Sequence, residues 1–383
     1  MKKFVKYSIM ALVALSLTAC SASGGKDSDK VLLGVNYDLT GGGAQYGQAE
    51  LEGTKLAVKL YNEKGGFKGE SVELLTLDGK SDPQESYRAQ TKLAEDGVFA
   101  IIGATISGTS SQAIKASGEM EVPTVSPSAT ADLVTNDGKK AYPYGYRVCY
   151  SDSFQAITMA NFTVDKGFKK VGVIGDSSSE YAAGLSKEYI KVVEAAGVEV
   201  VVEEYYTEGD SDFSALLTKV KANADVEALF IPGYYSEVGP LLKQAHELGV
   251  NLPVLGVDGY DSSEFIDLAS APALNNVYYT NHYSTLIDSD VHTAFVEAFE
   301  KEYGKKPNGF AALAFDATNL VLEALERADS TDPKKVNDAI KNTVDFEAVT
   351  GVISIDDMHN AKKATYVVEL KDGVEVNATI VNP

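Results

Sequence analysis

The sequence predicts an α/β protein made of two doubly wound parallel-sheet lobes joined by a three-strand hinge. Three observations carry that expectation. Strand-like and helix-like patterns alternate between Val31 and Val125, the alternation restarts after residue 145, and extended segments recur near 145–150, 276–281 and 347–355. Alternating strands and amphipathic helices form parallel sheets wrapped by helices. Three extended crossings would let the chain pass three times between lobes.

The first lobe opens with the run Val31 to Tyr37, then a helix carrying Ala49, Gly53, Leu56, Ala57 and Leu60 on one face, then a strand from Val72 to Leu77. A helix from about Pro83 to Glu95 precedes the strand Val98 to Ile102, and a helix through Met120 precedes Val122 to Val125, giving four strands. A polar loop, Thr135 to Lys140, leads to the strand Gly145 to Cys149. Beyond it Val171 to Ile174, Val198 to Tyr205 and Ala228 to Ile231 read as strands. Phe213, Leu216, Leu217 and Val220 fall at i, i+3, i+4 and i+7, the stripe of an amphipathic helix, and Val238, Leu241, Leu242 and Ala245 repeat it. Helices are expected near 290–303, 309–328 and 334–342, and Asp372-Gly373 marks a two-residue hairpin between Thr365–Lys371 and Val374–Ile380. The division that follows is 30–147 with 280–347 for one lobe and 148–279 with 348–383 for the other.

The N-terminal segment reads as a processing signal. Lys2, Lys3 and Lys6 precede an apolar run from Tyr7 to Ala19 that is short for a membrane span. Leu17-Thr18-Ala19-Cys20 resembles the lipobox of bacterial lipoproteins, which implies a signal peptide over 1–19 and lipidation of Cys20. The alternative is an ordinary signal peptide followed by an incidental cysteine. Ser21 to Asp29 is small and polar, as a flexible tether would be. Removing residues 1–19 takes away three lysines, leaving 31 basic against 55 acidic residues and moving the net charge from −21 to −24. Such a body does not seek nucleic acid or anionic lipid, and any anion it binds needs local donors. Cys149 is then the body's one cysteine, so no internal disulfide is expected; within Tyr146 to Tyr150 it reads as a buried thiol.

Catalytic templates are absent: there is no G-x-S-x-G, Walker loop or H-E-x-x-H, and His246, His282, His292 and His359 lack metal-ligand spacing. Neither enzyme activity, metal nor cofactor is expected. Gly41-Gly42-Gly43 lacks the Lys-Ser or Lys-Thr of a phosphate loop and reads as a pliable turn. Two hydroxyl-rich segments, Ala104 to Ser110 and Ser126 to Thr130, follow strands at the edge where open α/β sheets bind ligands. Read as strand-to-helix connections, their hydroxyls and helix-terminal amides form a carboxylate site, although any one such residue is more commonly an N-cap. At matching ends of the second lobe lie Asp176 to Tyr181, Gly233-Tyr234-Tyr235 and Gly256 to Tyr260. An acid among aromatics suits an ammonium group, and Asp258-Gly259 is equally a turn pair.

Taken together, several segments resemble the leucine/isoleucine/valine-binding family of ABC-transporter receptors, periplasmic binding proteins of type I. They are Thr40-Gly41 with Gln45-Tyr46-Gly47, Asn62-Glu63-Lys64-Gly65-Gly66, Asp82-Pro83, Ser107 after Ile102-Gly103, Ser126-Pro127 with Ala129-Thr130, Asp212-Phe213, and Gly233-Tyr234-Tyr235. The resemblance runs from about Val31 to the hairpin tail. It implies that Ser107, Ser128, Ala129 and Thr130 serve the ligand's α-carboxylate by side chain or backbone, that Tyr181 and Asp258 meet its ammonium, and that Tyr46 and Tyr234 line the side-chain pocket. It further implies a lipid-anchored monomer outside the bacterial cytoplasmic membrane that closes on a small amino acid and hands it to an ABC permease. The same fold also serves sensory receptors and receptors for amides or aromatic acids. Two departures stand out: the amine-binding acid is Glu in the best-known branched-chain receptors but Asp258 here, and the family's first-lobe disulfide is missing, Ile106 standing near one of its cysteines.

Overall fold

The computed structural model describes residues 30–287 and 289–383; the expected signal peptide, Cys20 and the tether lie outside the described residues. The first half alternates as β1 (Val31–Tyr37), α1 (Ala44–Glu63), β2 (Val72–Asp78), α2 (Pro83–Glu95), β3 (Ala100–Gly103), α3 (Ser107–Met120), β4 (Thr124–Ser126) and β5 (Gly145–Arg147). These strands form one sheet, ordered β2-β1-β3-β4-β5 and parallel throughout. β1 is nearly all apolar because helices cover both faces of a parallel sheet. Leu33 and Val35 point into a core shared with Ile102, Val125 and a later helix, while Leu32 faces Leu93, Val98 and Ile101 on the other side.

The second sheet is built from α4 (Asp152–Asp165), β6 (Lys170–Asp176), α5 (Glu180–Ala195), β7 (Glu199–Tyr206), α6 (Ser214–Ala222), β8 (Ala228–Phe230), α7 (Tyr235–Glu247), β9 (Val254–Gly256), the short α8 (Ser263–Ala269) and β10 (Val277–Asn281). The chain then returns to the first sheet with α9 (Asp290–Tyr303), α10 (Gly309–Ala328) and α11 (Pro333–Lys341). Leu313, Ala317, Leu320 and Val321 of α10 join the first core. A small antiparallel sheet, β11 (Phe346–Ala348), β12 (Gly351–Ile355) and β13 (Ala361–Lys362), follows, and β14 (Thr365–Lys371) with β15 (Val374–Val381) completes a second sheet ordered β15-β14-β10-β9-β8-β6-β7. Asp372 and Gly373 both take positive φ, 50° and 74°, as a tight hairpin of this hand requires.

α1 and α10 lie so close that a Cβ on Gly53 would sit 2.1 Å from the Ala311 carbonyl oxygen, so the contact exists only because Gly53 is glycine.

The structure departs from the sequence reading in three places. β5, read as the start of a crossing, pairs with β4 and makes the first sheet five-stranded rather than four. The segment 276–281 is mostly β10, and its crossing follows Asn281. The third crossing is not 347–355 but the two residues between β13 and β14, because β11 and β12 pair with each other and send Ile353, with Ala361 of β13, into the first core. Residues 348–362, assigned from sequence to the second lobe, thus pack with the first. The chain still passes three times between the sheets.

Candidate functional site

At the C-terminal ends of both sheets the two lobes meet around a small, partly open pocket. First-lobe loops supply Thr105, Ile106, Ser107, Ser128 and Thr130; α1 and α10 supply Tyr46 and Phe310; the second lobe supplies Tyr181, Tyr234, Asp258 and Gly259.

One end of the cavity is a set of donors. Ser107 opens α3, whose N-cap residue Ile106 gives no side-chain cap, so the first-turn amides of the helix keep their partial positive charge. The Ser107 hydroxyl oxygen accepts Ala131 N–H at 3.1 Å, which leaves its proton to give. Among the described residues the Thr130 N–H finds no acceptor. Behind these loops Asp38, fully buried, takes Ile106 N–H at 3.1 Å and the Thr109 hydroxyl at 2.9 Å; burial pushes its carboxyl up to about 6. Glu50 of α1 is also fully buried and accepts the Thr105 hydroxyl at 2.6 Å while contacting the Ser128 hydroxyl. Burial drives its pKa far above the usual carboxylate range, more than those hydroxyls lower it. The Ser128 hydroxyl donates to Glu50 and also lies 2.9 Å from the Thr105 carbonyl. Burial thus favours the neutral form of Glu50 beneath the donors.

The opposite end is acidic. Asp258, at the turn after β9, accepts the Tyr181 hydroxyl at 2.5 Å, Gln155 Nε2 at 3.1 Å and His282 Nε2 at 3.2 Å. Burial depresses His282 to about 4, outweighing the attraction of Asp258, so the contact is a hydrogen bond from neutral imidazole rather than an ion pair. Gln155 also donates to Asp152 at 2.8 Å, and burial followed by the charge of Asp258 drives Asp152 well upward, toward the neutral acid. Asp258 is thus the carboxylate that this end presents, and it keeps room for one more cationic donor.

Between the ends stands an aromatic wall. Tyr181 and Tyr234 stack with centroids 4.9 Å apart, and Tyr46 stacks on Phe310 at 4.2 Å while meeting Tyr234 edge-on at 5.8 Å. Tyr46 and Phe310, carried by first-lobe helices, lie in the core cluster of the second lobe.

Of the residues singled out from sequence, Tyr46, Ser107, Ser128, Thr130, Tyr181, Tyr234 and Asp258 all line this cavity. Ala129 does not: its N–H goes to Ser126 Oγ and its carbonyl to Arg147 and Cys149. Ser128 lines it with a hydroxyl already engaged by Glu50 and Thr105, which leaves only its backbone. The loop 126–130 is not a strand-to-helix connection, since no helix starts before Asp152; it runs into irregular chain held from behind by Arg147. Cys149 is fully buried and burial pushes its thiol to about 12, a packing role. Sequence reasoning missed Glu50, Gln155, His282 and Phe310, and took Thr105 only as part of the hydroxyl-rich segment Ala104 to Ser110. A charge on the apolar face of α1 was the available signal for Glu50.

A periplasmic binding protein family model matches residues 30–375. The chain is 29% identical over 358 residues to the leucine-, isoleucine-, valine-, threonine- and alanine-binding protein of Pseudomonas aeruginosa, covering 93% of this chain and 94% of that one. Among solved structures it is similar to the branched-chain amino acid transporter substrate-binding protein LivJ of Streptococcus pneumoniae in complex with isoleucine, with 34% identity, TM-score 0.87 and coverage of 92% and 100%. The leucine-binding protein LivK of Thermotoga maritima is similar at 34% identity and TM-score 0.85, covering 92% and 99%. With two parallel-sheet lobes and a pocket between them, the chain belongs to the leucine/isoleucine/valine-binding family of periplasmic binding proteins.

Proposed function

We propose that this chain is the extracytoplasmic substrate-binding lipoprotein of an ABC importer, and that it captures an amino acid with a small apolar side chain, branched-chain first, by closing two lobes around it. One observation carries the reading: the pocket between the lobes has unspent donors at Ser107 and Thr130 at one end and the carboxylate of Asp258 at the other, with an aromatic wall between. A free α-amino acid is the small molecule with that order of charges. Similarity to proteins named for leucine, isoleucine and valine supports the side-chain class.

In this reading the ligand docks on the Ser107 and Thr130 loops, the second lobe swings over it, and Asp258 and Tyr181 receive the ammonium. No bond is broken. Residues 30–147 and 282–362 move as one lobe and the rest of the body as the other, and the closed monomer is what a membrane permease engages. Lipid on Cys20 holds the protein at the outer face of the cytoplasmic membrane. Calorimetry against the twenty amino acids tests the capture: tight binding of leucine, isoleucine or valine is expected, and silence across the panel contradicts it. Cys20→Ser should abolish incorporation of labelled fatty acid; continued labelling contradicts the anchor.

A further inference from the structure

Arg147, the last residue of β5, is fully buried, and among the described residues no carboxylate reaches ion-pair distance of it. A guanidinium stays charged in proteins, and an unpaired buried cation is costly. What surrounds this one is carbonyl oxygen: Nη1 donates to Ala129 O at 3.2 Å, Thr130 O at 2.8 Å and Ala131 O at 2.8 Å, and Nε donates to Asn360 Oδ1 at 2.8 Å. Among the described residues Nη2 has no partner. Three successive carbonyls are therefore turned back onto one positive charge.

Each peptide unit has its N–H opposite its C=O. The unit whose carbonyl is Ala129 O carries the Thr130 N–H, one of the unspent cavity donors. The unit whose carbonyl is Thr130 O carries the Ala131 N–H, which donates to Ser107 Oγ, the other cavity donor. Polarising a carbonyl makes its N–H a stronger donor, and chained hydrogen bonds reinforce one another. The first-lobe loop lacks a helix whose dipole could do this, and Arg147 occupies the place where that positive end would be.

We propose that Arg147 is a positioning and specificity residue that supplies the counter-charge for the ligand's carboxylate through two peptide units and Ser107, and so makes the site select a carboxylate over a neutral end. This rests on the amino-acid reading above. A zwitterion then lies with its carboxylate toward Arg147 and its ammonium toward Asp258, and neither charge of the protein is left without an opposite.

The test is calorimetry of the full chain and its Arg147 variants with L-leucine and L-leucinamide, which keeps the ammonium and side chain but has no carboxylate. Arg147→Gln should weaken leucine by roughly tenfold or more, as loss of a charge-assisted contact does, and leucinamide by no more than about threefold. Arg147→Lys should keep leucine within about fivefold of wild type. Equal losses for both ligands, or no loss, would overturn the proposal and leave Arg147 as a brace for the loop. If Arg147→Gln does not fold, Arg147→Lys combined with Ser107→Ala decides: a shared relay predicts penalties that do not multiply, and penalties that multiply overturn it. Failure of wild type to bind any amino acid would instead count against the functional reading.

Discussion

The Tyr46 hydroxyl donates to the Gly259 carbonyl at 2.5 Å and accepts the Tyr235 N–H at 3.1 Å, so a side chain rooted in α1 of one lobe is held by two backbone groups of the other. Its ring is fully buried, and both hydrogen bonds exist only with the lobes together. Tyr46 is therefore a latch on the closed state as well as a wall of the cavity. Tyr46→Phe keeps the ring and removes the latch, leaving the Tyr235 N–H unpaired. Leucine affinity should fall by about 1–2 kcal/mol, roughly five- to thirtyfold, mainly through faster dissociation. Stopped-flow measurement of release checks this; an unchanged dissociation rate contradicts it.

The upward shift of Glu50 makes a separable prediction. Glu50→Gln retains one donor and one acceptor for Ser128 and Thr105 and should bind leucine within about threefold of wild type. Glu50→Ala leaves those hydroxyls unsupported and should cost about 1–3 kcal/mol of stability, with a parallel loss of affinity. If the two variants are equally impaired in urea unfolding and titration, the buried acid is charged after all.

These two residues show what the sequence could and could not disclose. Period-2 and period-3.6 patterns are local, so the strands β1, β6 and β8, the helices α6 and α7 and the Asp372-Gly373 turn were readable from composition and spacing. The strand ends carrying Ser107, Thr130, Tyr234 and Asp258 followed from topology and from the resemblance. Glu50, Arg147 and Gln155 owe their roles to partners far away in the chain, Thr105 and Ser128 for Glu50 and Asp258 and Thr280 for Gln155, and no local pattern encodes such pairs. The third crossing was misplaced for a related reason: β11 and β12 look extended whether they cross between lobes or fold back on each other.

Protonation of His282 sets one arm of the pH dependence. Burial depresses it from 6.5 to about 4, so between those values the folded chain binds fewer protons than the unfolded chain and stability falls as pH drops. The loss is bounded at about 3 kcal/mol once pH is below both values. Asp38 and Asp261, raised by burial to about 6, act in the opposite sense, since they hold protons in the folded state and regain stability as pH falls below about 6. The difference between wild type and His282→Gln isolates the histidine. Between pH 7 and pH 4.5 the variant should lose less stability in urea titrations than wild type, and identical losses contradict the assignment.

Gly53→Ala sets two magnitudes against each other. Alanine gains up to about 1 kcal/mol of helix propensity over glycine. The added Cβ meets the Ala311 carbonyl at 2.1 Å, backbone that can yield only if α1 and α10 separate, and such overpacking costs roughly 1–3 kcal/mol. Net destabilisation is expected by thermal unfolding, and a variant more stable than wild type would mean that the helices are free to part.

The central claim is that Asp258 binds an ammonium group in a cavity built for a zwitterion. Calorimetry of wild type and Asp258→Asn with leucine and with 4-methylpentanoate, leucine without its ammonium, tests it directly. Wild type should prefer leucine by about a hundredfold or more, since removing one partner of a buried charge pair costs roughly 3–5 kcal/mol, and Asp258→Asn should erase most of that preference. Equal binding of the two ligands by wild type, or a preference that survives in Asp258→Asn, would contradict the account.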